Sequence, residues 1–127
     1  MLEYDIVIVG AGPGGLTAGL YSSRANRKTI AIEKMIPGGE IVNTELVEDY
    51  PGFESIGGAE LAKRMENHAR KFGLEIANDN ITEIYSDGRF MIAKGDNEEY
   101  RAKAIIVATG GHPRKLGIPG ELELAGK

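Results

Sequence analysis

The feature that most constrains this chain lies at its start, where a run of β-branched residues is broken by closely spaced glycines. Tyr4 to Val9 reads Tyr-Asp-Ile-Val-Ile-Val and stops at Gly10. A short unbroken apolar run of this kind suits a strand buried on both faces, as in a parallel sheet. The residues that follow, Gly10-Ala-Gly12-Pro-Gly14-Gly15, fit the spacing G-x-G-x-x-G. In that pattern Gly10 permits a tight turn, Gly12 the close approach of backbone to a pyrophosphate, and Gly15 the contact of helix with strand. Pro13 suits the first turn of a helix, where its missing N–H costs nothing. The pattern predicts a helix from Pro13 to about Ala25, with Leu16, Leu20 and Tyr21 facing inward. A second strand, Thr29 to Ile32, ends at Glu33. Strand, glycine turn, helix and strand in about 30 residues make a βαβ unit with a right-handed crossover.

This arrangement has a chemical consequence. A helix N-terminus supplies oriented N–H donors and a positive dipole end for phosphate. Glu33 lies 23 residues after Gly10, where an acidic group accepts hydrogen bonds from the adenosine ribose hydroxyls. A carboxylate there repels a 2′-phosphate, so FAD or NAD is favoured over NADP, and the motif alone leaves those two open. Gly38-Gly39-Glu40 and Asn43-Thr44 stand in an aperiodic stretch, Pro37 to Ile56, which reads as a loop wrapping a ligand. Thr109-Gly110 follows a buried run, Ala104 to Ala108, at the carboxyl end of a strand, where open α/β sheets bind ligands.

The rest of the chain completes an α/β domain. Ala59 to Phe72 is predicted as an amphipathic helix, with Leu61, Ala62, Met65, Ala69 and Phe72 on one face and the pairs Glu60–Arg64 and Glu66–Arg70 on the other. Gly73 would stop it, and Leu74 to Ala77 reads as a third strand. Alternation then takes over from Asn80 to Tyr100, with Asp87-Gly88 as a hairpin turn and Gly95-Asp96-Asn97 as another. The expected architecture is a Rossmann-like parallel sheet carrying a small antiparallel β-meander, the three-layer ββα form. Residues 1–111 would be the dinucleotide-binding unit. Residues 112–127, with Pro113 and Pro119, would be a connector.

Composition narrows the function classes. The 18 glycines in 127 residues are about twice average usage, and 11 of them fall in four clusters, three of which lie along the expected ligand path. Zero cysteines exclude a disulfide scaffold, a thiolate metal site and a dithiol redox centre within these residues. A net charge of −4 argues against nucleic acid as the main partner. Ile6 to Ser23 carries no charge, yet five glycines, Pro13 and three hydroxyl residues make it too polar and broken to span a membrane. The first residues lack the basic start of a secretory signal, so a cytoplasmic protein is expected. His68 and His112 read as solvated or structural, and no catalytic or metal-ligating residue is assigned in this chain.

Four stretches together resemble the N-terminal FAD-binding segment of low-molecular-weight thioredoxin reductases, flavoproteins with two dinucleotide-binding domains. They are GAGPGGLTAGLYSSRAN (Gly10–Asn26), GGEIVNTELVEDYPGF (Gly38–Phe53), GGAELAKRMENHARKFG (Gly57–Gly73) and ATGGHPRKLGIPGE (Ala108–Glu121). The resemblance implies FAD, with Gly10, Gly12, Pro13, Gly14 and Gly15 at the pyrophosphate, and Glu33 and Lys34 at the adenosine ribose. It places Gly39, Glu40, Thr44 and Asp49 along the ribityl and flavin side, and Thr109-Gly110 near the cofactor. Two residues depart from the family's pattern, which has Gln where this chain has Glu40 and Asn where it has Asp49. A carboxylate at either place would alter hydrogen bonding to the flavin or its potential. The resemblance also implies that an NAD(P)H domain bearing a C-x-x-C dithiol interrupts the FAD domain after these residues. On that basis the chain is expected to be an incomplete FAD domain whose sheet lacks its last strand, unable to reduce a disulfide alone. NAD(P)H and thioredoxin would engage it only through the missing domain, and an exposed sheet edge would favour a homo-oligomer. The alternative expectation is a stand-alone module that holds FAD or NAD without turnover, completed by a partner chain.

Overall fold

A computed structural model describes residues 1–125. The last two residues of the expected connector, 126 and 127, lie outside the described residues. The elements run β1 (Leu2–Val9), α1 (Pro13–Arg24), β2 (Thr29–Glu33), a 3-10 turn (Gly39–Asn43), α2 (Gly58–Lys71), β3 (Glu75–Asn78), β4 (Ile81–Asp87), β5 (Phe90–Gly95) and β6 (Glu99–Val107). No helix among the described residues is long and apolar enough to cross a membrane.

All six strands join one sheet in the order β3-β2-β1-β6-β5-β4. The βαβ unit forms as the sequence predicts, with β1 and β2 parallel and Val9 opposite Ile32. β3 adds in parallel to β2, with Glu33 opposite Asn78. The meander is not a detached layer, because β6 serves two neighbours. Its whole length from Tyr100 to Val107 pairs parallel with β1, while Glu99 to Ala102 also pairs antiparallel with β5.

Alternation along the strands feeds two apolar clusters on opposite faces. Ile8 and Ala31 pack with Leu16 of α1 and with Ala69 and Leu74 at the end of α2. Val7, Ile30 and Ile32 point the other way and pack with Ala93, Tyr100 and Ala102 of the antiparallel arm. Helices therefore cover one face of the parallel strands and the β4–β5 arm covers the other, giving the expected three layers. Each fully buried Leu or Ile in these clusters contributes about 1.5–3 kcal/mol relative to exposure.

α2 ends as its sequence dictates. Gly73 adopts φ 105°, its N–H bonds Arg70 O at 2.9 Å, and the Leu74 N–H reaches back to Ala69 O at 3.2 Å. That double closure is the Schellman motif, and it drops Leu74 into the core. The ion pairs Arg64–Glu60 and Arg70–Glu66 form at 2.8 Å each.

Four side-chain expectations are corrected. Tyr21 points out, 66% exposed, because position 21 of α1 falls away from the Leu16 and Leu20 stripe. Phe72 caps the end of α2 from outside, stacked near His68 and beneath Arg24. Glu66, expected on the solvated face, is buried and satisfied there by Lys63 and Arg70. The run Ala104 to Ala108 is not buried on both faces, since Ile106 and Val107 are exposed. Beyond Ala102 no strand among the described residues pairs with the outer side of β6.

Candidate functional site

Register brings the carboxyl ends of β1, β2, β3 and β6 to one edge of the sheet. There the Gly10 N–H bonds Ile32 O and the Ala108 N–H bonds Val9 O, both at 2.8 Å. Gly10 sits at φ 104°, and a Cβ on it would overlap the Ala108 carbonyl, so β1 and β6 are joined backbone to backbone. A Cβ at Gly15 would overlap the Gly10 carbonyl, which is the close helix–strand contact expected of the third glycine.

The N-terminus of α1 is left open. Gly12 is its N-cap, no side chain caps it, and its first turn holds no acidic residue. Across from it lies Gly39, at φ 65°, whose Cβ position is 3.1 Å from Gly12 Cα and 3.5 Å from Pro13 Cδ. Two glycine backbones therefore face each other at a helix start whose dipole favours an anion. The two backbones are in van der Waals contact, with no side chain between them.

The turn and the loop are tied to each other through Ala11, which is fully buried. Its N–H donates to Glu33 Oε2 at 2.9 Å, and its carbonyl accepts the Gly38 N–H at 2.8 Å. The other Glu33 oxygen accepts the Met35 N–H at 3.0 Å. Glu33 as a whole is half-buried. The loop is in turn seated on α2, where the Gly58 N–H bonds Thr44 O at 3.0 Å.

Of the residues singled out from sequence, this edge gathers Gly10, Gly12, Pro13, Gly14, Gly15, Glu33, Gly39 and Thr109. Glu40 and Thr44 lie at the two ends of the 3-10 turn, both exposed. Lys34 is exposed beside Glu33, and Gly110 is exposed at φ 65° with nothing packed on it. Asp49 stands apart, on the exposed loop enclosed by the Val47–Ile56 bridge. The aperiodic stretch thus resolves into a 3-10 turn and a small bridge.

Sequence reasoning missed three contributors. Ala11 looked like a spacer, yet both its backbone groups brace the turn. Gly58 lets α2 approach the carbonyls of Ile41 and Thr44, and the doubled Gly57-Gly58 was its only signal. Asn78 donates to Glu33 O at 3.1 Å and Met35 O at 2.8 Å, and nothing in its local sequence announces that. A shallow concavity of about 410 Å³ lies at the opposite, amino ends of the strands. Its charges are spent internally: Arg101 pairs with Glu3, Lys103 with Asp5 at 2.9 Å, and Lys28 sits over the Tyr4 ring.

Comparison with known proteins agrees with this geometry. A profile of the pyridine nucleotide-disulphide oxidoreductases matches residues 4–127. The chain is 51% identical over 124 residues to a thioredoxin reductase of Bacillus subtilis, covering 98% of this chain and 39% of that protein. It is 48% identical to a thioredoxin reductase of Listeria monocytogenes over the same share of each. Among solved structures, thioredoxin reductase of Lactococcus lactis superposes with a TM-score of 0.88 at 42% identity, over 94% of this chain and 40% of that one. The chain therefore spans about 39% of the length of the curated relatives it matches.

Proposed function

The chain belongs to the pyridine nucleotide-disulphide oxidoreductase family, and from that premise we propose that it is the FAD-binding portion of a thioredoxin-reductase-like flavoprotein. The observation that carries this reading is the pair of opposed glycine backbones, Gly12 and Gly39, at the uncapped start of α1. That contact leaves the helix start free of side chains, and a diphosphate needs N–H donors with no side chain in the way. Residues 1–111 form the binding unit in this reading, and residues 112–127 a connector.

Each residue has a definable task. The free N–H groups at the start of α1 hold diphosphate oxygens. Glu33 offers its remaining lone pairs to the ribose hydroxyls, since a carboxylate oxygen accepts more than one hydrogen bond. Lys34 balances charge beside it. Glu40 and Thr44 place polar groups along the ribityl side, and Thr109-Gly110 close the far wall of the turn. Asp49 reaches the flavin end only through its own loop. FAD when bound supplies hydride and electron transfer, and the protein's work is to hold, orient and tune it.

In the whole protein, electrons would pass from a reduced nicotinamide through FAD to a dithiol and on to thioredoxin, in the cytoplasm. These 127 residues contain no cysteine, so the dithiol of that sequence lies outside them. The purified chain is expected to carry FAD, identified by its absorbance and by chromatography of the ligand released on denaturation. Recovery of NAD instead would overturn the cofactor assignment. Reduction of thioredoxin by this chain alone would overturn the division of labour.

A further inference from the structure

The bond between the Ala11 N–H and Glu33 gives that carboxylate a second task. We propose that Glu33 is a positioning residue that sets the shape of the phosphate-binding turn before any ligand arrives. Binding at the diphosphate end then depends on Glu33 without any contact to ribose. The inference rests on the dinucleotide reading above.

Ala11 is 0% exposed, so no bulk water reaches its backbone. Its N–H has Glu33 Oε2 as acceptor at 2.9 Å, and its carbonyl is held by Gly38 at 2.8 Å. As the residue between Gly10 and Gly12, it fixes the direction in which the following amides point. Its own N–H is consumed by Glu33 and is not a phosphate donor. Deleting the Glu33 carboxylate would orphan a buried donor, which costs more than the net worth of the bond that is lost.

The acceptor is itself held. Glu33 Oε1 takes the Met35 N–H at 3.0 Å, and the Glu33 carbonyl takes the Asp79 N–H at 3.1 Å and the Asn78 amide at 3.1 Å. Strand β3 thereby locks the end of β2, and β2 locks the turn after β1. Only a carboxylate serves both N–H groups, because the amide of Gln offers one oxygen and turns its NH₂ toward the other donor. Two N–H bonds still leave lone pairs free, so bracing the turn and binding ribose are compatible.

Amide hydrogen exchange on the full chain without ligand tests this directly. In E33A the Ala11 amide should exchange at least about tenfold faster, with the Gly38 amide following it and the amides of α2 unchanged. In E33Q one of the Ala11 and Met35 amides should lose protection while the other keeps it. Unchanged exchange at Ala11 in E33A would overturn the proposal.

A binding arm separates bracing from ribose contact, using FAD and its counterpart with a 2′,3′-dideoxyadenosine. E33A should weaken binding of the dideoxy compound by at least about fivefold, although that compound offers Glu33 no hydroxyl. Equal affinity of native chain and E33A for the dideoxy compound would overturn the proposal. Failure of the native chain to bind either flavin would instead overturn the functional reading, and the exchange result would still decide whether Glu33 braces the turn.

Discussion

Two of the carboxylates that gather backbone N–H groups in this molecule, Asp79 and Glu33, do so for different ends. Asp79, between β3 and β4, is 3% exposed. It accepts the N–H groups of Asn80 at 2.8 Å and Glu98 at 3.1 Å, the backbone and side-chain amides of Asn97 at 3.2 Å, and the Tyr100 hydroxyl at 3.3 Å. Every lone pair is used, and the antiparallel arm is closed onto the parallel strands. Glu33 holds only two N–H groups and stays half open to solvent. The same chemical device thus makes a joint when saturated and, in the proposed reading, a site when left partly free.

The comparison breaks most readily at the joint. D79A removes the acceptor of three backbone N–H groups and of the buried Tyr100 hydroxyl and should cost about 3–5 kcal/mol of stability, read as a lower urea midpoint. A loss below about 1 kcal/mol would show that the joint is not closed as described.

The site should respond in the opposite sense, through binding and not stability. A Cβ at Gly12 would stand 3.6 Å from Gly39 Cα, an ordinary contact, so G12A should unfold within about 1 kcal/mol of the native chain. It should nevertheless weaken FAD binding by about a hundredfold or more, equivalent to about 2.7 kcal/mol. Normal FAD binding by G12A would show that the close glycine contact does not shape the site.

Acid titration sharpens the contrast at Asp79 alone. Burial pushes its carboxyl up, but the N–H groups of Asn80, Asn97 and Glu98 outweigh that and hold it below its ordinary 3.8. A carboxyl depressed in the folded state stabilises fully above its unfolded pKa, and that stability is lost as pH falls through the folded value. Stability should therefore drop as pH falls below about 4, and D79N should flatten the drop. The same bond works on the partner, since burial and the neighbouring Asp79 charge push the Tyr100 phenol up to about 12.

The smallest effect belongs to the surface of α2. R70A removes one of two cations on Glu66, while Lys63 remains at 3.3 Å. It should cost about 0.5 kcal/mol and leave FAD binding unchanged.

Most of what a local rule could specify was legible in the sequence. The run from Tyr4 to Glu33 announced its strand, turn, helix and acid through composition and spacing, and all four form where expected. Gly73 announced the end of α2, and Asp87-Gly88 the hairpin. What local rules could not reach lies partly in partners distant along the chain. Asp79 looks like one more polar residue between Asn78 and Asn80, because its donors lie near Asn97 and Tyr100. Glu66 is buried because Lys63 and Arg70 neutralise it, so helical periodicity alone misplaces it. Ile106 and Val107 read as core by composition, yet they stand 36% and 63% exposed. Asp49 is placed near the flavin only by the resemblance, and among the described residues no hydrogen bond ties its loop to the glycine turn.

The double pairing of β6 also sets a timetable. β1, α1 and β2 leave the ribosome early, and the loop bearing Gly39 soon after. The wall that Ala108 presents to Gly10 is synthesised roughly a hundred residues later, which at about 5–20 residues per second is a wait of several seconds. Until β6 arrives, β1 lacks one of its two neighbours and the glycine turn has nothing behind it. A nascent chain therefore carries the recognisable fingerprint long before it can grip a cofactor. Synonymous codon changes that delay translation between β2 and β6 would lengthen the interval in which that half-built edge stands open to misassembly.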